Sequence, residues 1–336
     1  MKLNDDKVYI IAEIGGNFTT YEQAMKLIDC ANDCGVDAVK LQTYRADTVS
    51  STKAMFNMEN VGITSQYELF KRFEIGKELH RQVFDYAKSK DLDVFSTPAH
   101  ITDVELLDEI GCDIYKVGSD DAVNIPFLRY LAGTGKPIIL ATGMCTLEEV
   151  KESVSAILGE SNSQLYLLHA ITAYPTHAED VNLDAMVTMI NVFPNIKIGY
   201  SDHTSGTAAA ICAAAMGAKI IEKHFTYDKN ANGPDHMLSA SPEEMSYIVK
   251  TIREFEIIKG SGIKMPSIAE KTNRINNRKS IVITRNVKKG ECLTKDNIDI
   301  KRPGFGIQPK YFEQVIGRTV SKDLAHDDIL QWEDLS

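Results

Sequence analysis

Several things are scarce in this chain of 336 residues, and each scarcity closes off a class of protein. Six cysteines stand singly as Cys30, Cys34, Cys112, Cys145, Cys212 and Cys292, with no Cys-x-x-Cys pair among them. A disulfide framework or a structural zinc site needs tighter, repeated spacing, so free thiols in a reducing compartment are expected. Basic residues are outnumbered: 37 Lys and Arg against 47 Asp and Glu give a formal net charge of −10. Such a chain offers no broad positive face to a nucleic acid or an anionic membrane, and neither partner is expected. No apolar run reaches the ~20 residues of a membrane span. The polar start, Met-Lys-Leu-Asn-Asp-Asp-Lys, leads into a short apolar run that ends at Glu13, which is not the pattern of a secretory signal. A cytoplasmic location is the expectation.

What the chain does have is repetition. Eight short apolar, β-branched runs follow one another: VYIIAEIG from Val8, AVKLQTY from Ala38, DVFSTP from Asp93, IYKVGS from Ile114, PIILATG from Pro137, LYLLHAI from Leu165, IKIGYSD from Ile196 and KIIEKHF from Lys219. Each has the length of a strand buried on both faces. Amphipathic stretches separate them, such as Tyr21–Cys34 with Ala24, Leu27, Ile28 and Ala31 at helical spacing. Gly35, Gly111, Gly135 and Gly217 stand where helices should stop, just ahead of the next strand. Strand–helix alternation repeated eight times predicts an α/β fold, a (β/α)₈ TIM barrel. An open, doubly wound sheet is the competitor. Its usual glycine-rich first turn is missing, since Gly15-Gly16-Asn17-Phe18 lacks the third glycine.

After the amphipathic stretch Met245–Ile258 the composition changes. The sequence divides into a barrel over 1–262, a polar linker over 263–278 and a small, mostly β domain over 279–336. That last segment carries ten basic and nine acidic residues. At its size it is near the lower limit for independent folding and should dock on something.

Charged residues occur where a barrel core should be apolar. Glu13 ends the first run, Lys40 and Gln42 share a face of the second, Lys116 sits in the fourth, and Glu222 and His224 share a face of the eighth. In a barrel, the C-terminal strand ends form the mouth that carries chemistry. One such charge would ordinarily be solvated or locally paired. The seventh run likewise ends Tyr200-Ser201-Asp202-His203, and five strands repeating the pattern imply a ligand or mutual pairing, because unpaired buried charge is costly. Two lysines aimed into one mouth of an acidic protein suggest a small anion, phosphate or carboxylate. Ser96, Thr97, Ser119 and Ser201 are candidate neutral donors to it. His203 and His224 end neighbouring strands. They form either a hydrogen-bonded pair or two ligands of one divalent ion, Mn²⁺ or Mg²⁺, with water and substrate oxygens in the open positions. His80, His100 and His326 read as surface residues; His169, His177 and His236 fall in loops or at strand ends.

These residues lie within motifs that occur together in order: AEIGGN (12–17), VKLQTY (39–44), FSTP (95–98), YKVGS (115–119), LATGM (140–144), YPT (174–176), YSDHT (200–204), EKHFT (222–226) and GPDH (233–236). The set resembles the sialic acid synthase family, which makes nonulosonic acids from phosphoenolpyruvate and an N-acylated hexose. KRPGFGI (301–307) and VIGRTVSKDL (315–324) resemble that family's C-terminal antifreeze-like (SAF) domain. The resemblance implies a phosphoenolpyruvate site using Lys40, Thr97, Lys116, Ser119 and Ser201, and Mn²⁺ or Mg²⁺ on His203 and His224 beside Glu222. It implies Glu13 near the sugar aldehyde, with Gln42, Asp121, Thr172, Tyr174 and Asp235 lining the sugar site. It further implies a homodimer with swapped SAF domains, in which Arg302 reaches the partner's active site.

Three departures bear on the acceptor sugar: Phe18 where the family usually has His, Thr172 where Asn is frequent, and Asp121 where Glu is common. The expected product is N-acetylneuraminate or a close relative, with legionaminate and pseudaminate as alternatives. A barrel aldolase forming a Schiff base on Lys40 or Lys116 is a more distant alternative. A non-enzymatic sugar- or ice-binding module would rest on the tail alone.

Overall fold

The computed structural model describes residues 7–58, 62–160 and 164–336. The polar stretch at the start, residues 1–6, lies outside the described residues. The chain divides into two compact units, residues 1–260 and 261–336.

The first unit is a closed barrel of eight parallel strands. They are β1 (Tyr9–Glu13), β2 (Ala38–Thr43), β3 (Asp93–Pro98), β4 (Tyr115–Val117), β5 (Ile138–Ala141), β6 (Leu165–Ala170), β7 (Lys197–Asp202) and β8 (Ile220–His224). Each pairs with the next, and β8 returns to β1, so no edge remains exposed. All eight runs picked out by their apolar, β-branched character are these strands. Eight principal helices follow them in alternation: α1 (Tyr21–Cys34), α2 (Lys77–Ser89), α3 (Ile101–Glu109), α4 (Ile125–Gly133), α5 (Leu147–Gly159), α6 (Leu183–Val192), α7 (Ala208–Ala215) and α8 (Pro242–Lys259). The β2–α2 connection carries a small antiparallel hairpin, Met55–Met58 with Gly62–Ser65, and the helix Gln66–Phe73.

Local chemistry explains where the helices begin and end. Thr20 and Gln23, Thr146 and Glu149, and Ser241 and Glu244 form reciprocal capping boxes at the starts of α1, α5 and α8. Gly35 stops α1 with φ of 80°, a left-handed conformation that a β-carbon would strain, and the other three glycines read as stops share that region. The stripe Ala24, Leu27, Ile28 and Ala31 is buried, as its spacing requires.

The core joins strand interiors such as Ile10, Val39, Phe95, Ile139 and Leu167 to the inward stripes of the helices. The N-terminal end of the barrel is tied by polar contacts. The Arg253 guanidinium donates to Asp37 and to the Val8 carbonyl, each at 2.7 Å, and Tyr9 donates to Asp93 at 2.7 Å. That face serves stability and leaves the opposite one to chemistry.

The second unit has its own core of Ile281, Ile283, Val287, Leu293, Ile298, Ile307, Val315, Val320, Leu324 and Leu330. Its two-stranded antiparallel sheet pairs β9 (Ser280–Ile283) with β10 (Ile298–Lys301). Residues 261–279, which include the stretch read as a linker, are exposed throughout and contain the short helix Lys271–Asn276. Among the described residues no helix is long and apolar enough to cross a membrane.

Candidate active site

The barrel register brings the charged strand-end residues into one cluster. Glu13 on β1 pairs in register with Lys40 on β2 and His224 on β8, while Glu222 pairs with Ser201 on β7. Lys40 Nζ lies 2.6 Å from Glu13 Oε2 and 3.9 Å from Glu222 Oε1, and it donates to Thr97 Oγ1 at 3.1 Å. Gln42 donates to Glu13 Oε1 at 3.1 Å, as does the Gly15 backbone N–H at 2.8 Å. Lys116 Nζ lies 3.7 Å from Glu222 Oε1 and donates to the Val117 carbonyl at 3.0 Å. Ser201 donates to Glu222 Oε1 at 2.9 Å. Glu13, Lys40, Lys116 and Glu222 are all buried.

The two carboxylates respond differently to this burial. Desolvation pushes Glu13 upward, and the Lys40 ammonium only partly offsets it. Desolvation also opposes ionisation of Glu222, but Lys116 and Lys40 together with the Ser201 hydroxyl outweigh it and hold the group down to about 2. Two carboxyls in one mouth with affinities pushed apart suit proton transfer for one and fixed negative charge for the other. The lysines differ too. Burial lowers Lys116, whereas at Lys40 the same penalty is exceeded by Glu13 and Glu222 and the net direction is upward.

His203, Tyr174 and His224 make tilted and edge-to-face ring contacts beside this cluster. Ring centroids lie 4.3 Å apart for Tyr174–His203, 5.5 Å for His203–His224 and 5.9 Å for Tyr174–His224. His203 Nδ1 lies 2.7 Å from the Ile171 carbonyl. A carbonyl only accepts, so Nδ1 carries the hydrogen and Nε2 keeps its lone pair. Burial, then the neighbouring His224, drives this imidazole down to about 4, which keeps it neutral. Burial would lower His224 as well, but the carboxylate of Asp235, 3.4 Å from Nδ1, prevails and the shift is upward.

Residues 27–264 match the NeuB family and residues 278–336 the SAF domain. The chain belongs to the NeuB family. An uncharacterised protein of Methanocaldococcus jannaschii is 41% identical over 331 residues, covering 98% of this chain and 95% of that one. The N,N'-diacetyllegionaminic acid synthase of Legionella pneumophila is 39% identical, covering 97% and 94%. A crystal structure of the N-acetylneuraminic acid synthetase of Leptospira borgpetersenii, in complex with citrate, superposes with a TM-score of 0.70 at 31% identity, covering 80% of this chain and 90% of that one. As a NeuB-family member the chain is a phosphoenolpyruvate-dependent transferase of the nonulosonic acid synthase type.

In this NeuB-family barrel the contacts join Glu13, Lys40, Gln42, Thr97, Lys116, Ser201 and Glu222; ring contacts add Tyr174, His203 and His224, and Asp235 joins through His224. Ser119 and Thr172 meet elsewhere on the mouth. Ser119 Oγ accepts from the Gly143 N–H at 2.9 Å, and a β-carbon at Gly143 would collide with Ser119 Oγ and Thr172 Oγ1. Asp121 is not joined to the cluster, because its carboxylate accepts from Asn124 at 2.8 Å. Arg302 lies in the second unit, exposed and ahead of a cis Pro303.

The donor set fits a divalent ion. His203 presents a neutral imidazole whose far nitrogen is oriented by a backbone carbonyl, the usual arrangement behind a metal-bound histidine. Glu222 Oε2 is a buried polar atom without a hydrogen-bond partner, and His224 Nδ1 faces the Asp235 carboxylate 3.4 Å away, which leaves Nε2 as its free nitrogen. Among the described residues no three His, Cys, Asp or Glu side chains converge as a complete cage. Two imidazoles with open positions for oxygen ligands would suit Mn²⁺ or Mg²⁺.

Two readings of the sequence need correction. Ser96 is not available to a substrate, since it is fully buried with its Oγ 2.6 Å from Thr43 Oγ1. His80 is not on the surface. Its Nε2 lies 2.9 Å from Thr43 Oγ1 and its Nδ1 3.0 Å from the Gly76 carbonyl. The signal was present in the spacing of His80, Val83, Phe84 and Ala87, the buried stripe of α2. The sequence reading also passed over Lys223, whose Nζ lies 2.7 Å from Asp202 Oδ2 on the side of the strands away from the mouth.

Proposed function

We propose that the protein condenses phosphoenolpyruvate with the open-chain aldehyde of an N-acyl-mannosamine-type sugar, adding water and releasing inorganic phosphate. The observation that carries this reading is the pair of buried lysines beside two carboxylates of opposite proton affinity. Among the described residues Lys116 makes one hydrogen bond, to Val117 O, so an ammonium with three donors has capacity left for an anion. Lys40 and Lys116 bind the phosphate and carboxylate of phosphoenolpyruvate, with Thr97, Ser119 and Ser201 as neutral donors. Gln42, Asp121, Thr172, Tyr174 and Asp235 are assigned to the sugar.

The chemistry has two stages. C3 of phosphoenolpyruvate forms a bond to the aldehyde carbon, whose oxygen takes up a proton. Water then adds to the cationic C2 and loses a proton, and the resulting tetrahedral centre expels phosphate by C–O cleavage to leave a C2 ketone. Glu13 moves the proton at the aldehyde oxygen or at the water, since burial raises its proton affinity and favours its taking up a proton. Glu222 stays ionised, faces both lysines and stabilises positive charge at C2. His203 and His224 would hold Mn²⁺ or Mg²⁺, which when bound supplies Lewis-acid polarisation of a carbonyl oxygen.

A homodimer in which Arg302 completes the partner's site belongs to the same reading. Its exposed position and the exposed apolar side chains of Ile257, Ile258, Ile263 and Met265 support it. A 2,4-diacetamido-2,4,6-trideoxy acceptor is the second reading, favoured by the 39% identity to a legionaminic acid synthase. Phosphate release with Mn²⁺ across N-acetylmannosamine, a 2,4-diacetamido-2,4,6-trideoxy hexose and mannose separates these. Both N-acyl sugars should outperform mannose, and equal rates with mannose would contradict the assignment of an N-acyl acceptor.

A further inference from the structure

We infer that the buried Lys223–Asp202 pair is a positioning device that holds His203 and His224 in the arrangement needed to bind a divalent ion. The inference rests on the metal role proposed above for those histidines.

Asp202 and Lys223 are register partners on β7 and β8. Their neighbours Ser201 and Glu222 meet in the mouth, so by strand alternation Asp202 and Lys223 project to the other face. Each immediately precedes one of the two histidines. Both side chains are nearly sealed from solvent, at 3% and 0% exposure, and their charged atoms lie 2.7 Å apart.

The pair also grips the residue on the far side of His203. Lys223 Nζ donates to the Thr204 carbonyl at 2.8 Å, and Asp202 Oδ1 accepts from the Thr204 N–H at 2.9 Å. Tyr200 donates to the same Asp202 oxygen at 3.4 Å. Both peptide groups of Thr204 are thus tied to charged atoms anchored on β7 and β8. His203, between Asp202 and Thr204, is held from both sides. Its own carbonyl accepts from Thr176 N–H at 2.9 Å, which adds a third tether from the Tyr174 loop.

Stability is a poor reason for such a pair, because an apolar pair of similar volume avoids the desolvation of two ions. Fixed direction is a better one. Hydrogen bonds from two ions fix the peptide groups on either side of Thr204, the first of which begins at His203, an orientation that packing alone would leave less defined. Loss of partners that orient ligands typically weakens metal affinity ~10–100-fold.

The test is Mn²⁺ binding to the full chain, followed by the electron paramagnetic resonance signal of free Mn²⁺. Two variants are used: the isosteric Asp202→Asn and the double Asp202→Asn/Lys223→Met, which leaves no unpaired buried charge. Circular dichroism verifies folding, and phosphoenolpyruvate affinity of the metal-free protein is measured alongside. Each folded variant should bind Mn²⁺ ~10–100-fold more weakly, with phosphoenolpyruvate affinity unchanged. Wild-type Mn²⁺ affinity in either folded variant would overturn the inference. So would a parallel loss of Mn²⁺ and phosphoenolpyruvate affinity, or failure of both variants to fold, since these mark a general brace. His203→Ala serves as the control for the underlying reading: if it binds Mn²⁺ as the wild type does, the metal assignment fails, whatever the pair does.

Discussion

Lys116 Nζ and Glu222 Oε1 face each other at 3.7 Å inside the barrel mouth, too far apart for a hydrogen bond and close enough for strong attraction. Lys40, by contrast, is closed onto Glu13 at 2.6 Å. The looser lysine is the one at which the burial penalty is not made good and the net shift is downward, and an incoming anion would restore what desolvation removes.

Lys116→Ala should therefore cut turnover by ~10²-fold or more, the scale of losing one electrostatic donor from a closed site. Steady-state phosphate release measures it, and near-normal turnover would refute the anchoring role.

The two carboxylates should fail differently. Glu13→Gln should lower kcat by ~10²–10⁴-fold as a lost proton carrier, with a smaller change in KM. Glu222→Gln leaves two buried lysines without their shared counter-charge and should cost about 3–5 kcal/mol in denaturant unfolding. Equal stability of the two variants, with equal kinetic loss, would remove the distinction drawn between them.

Replacing both His203 and His224 by Ala should abolish activity and its dependence on divalent ions. The check is turnover of the wild type in EDTA and after Mn²⁺ is restored. Undiminished turnover in EDTA would end the metal assignment.

Asp103 offers a test of the fold away from the mouth. It is buried in the first turn of α3, where desolvation pushes it up to about 6 despite the Ala99 N–H it accepts. A raised carboxyl binds its proton more tightly in the folded state. Its stabilising contribution is whole below about pH 4 and is lost as pH rises through about 6. Asp103→Asn should thus melt higher than the wild type at pH 8, by about 3 kcal/mol at most, with the gap closing by pH 4. A pH-independent difference would contradict the shift.

The barrel was legible because every strand carried an apolar, β-branched run, and β2, β4, β5 and β8 also followed a glycine helix stop. The mouth was legible because Lys40, Lys116, Glu13 and Glu222 are charges within runs that should be apolar. Other features were hidden for physical reasons. Lys223 and Asp202 also interrupt apolar strands, but only the register reveals that they meet behind the histidines. Ser96 shares a motif with Thr97, and strand alternation turns it away from Lys40 toward Thr43.

On the proposed function, this mouth joins phosphoenolpyruvate to an N-acyl hexose. Simultaneous quantification of inorganic phosphate and of the nine-carbon acid by mass spectrometry, with Mn²⁺ and each acceptor, tests it most directly. The prediction is one phosphate per product, dependent on the acceptor and lost with Lys116→Ala. Phosphate release indifferent to the acceptor, or a borohydride-trapped adduct on Lys40 or Lys116 with no phosphate released, would contradict it.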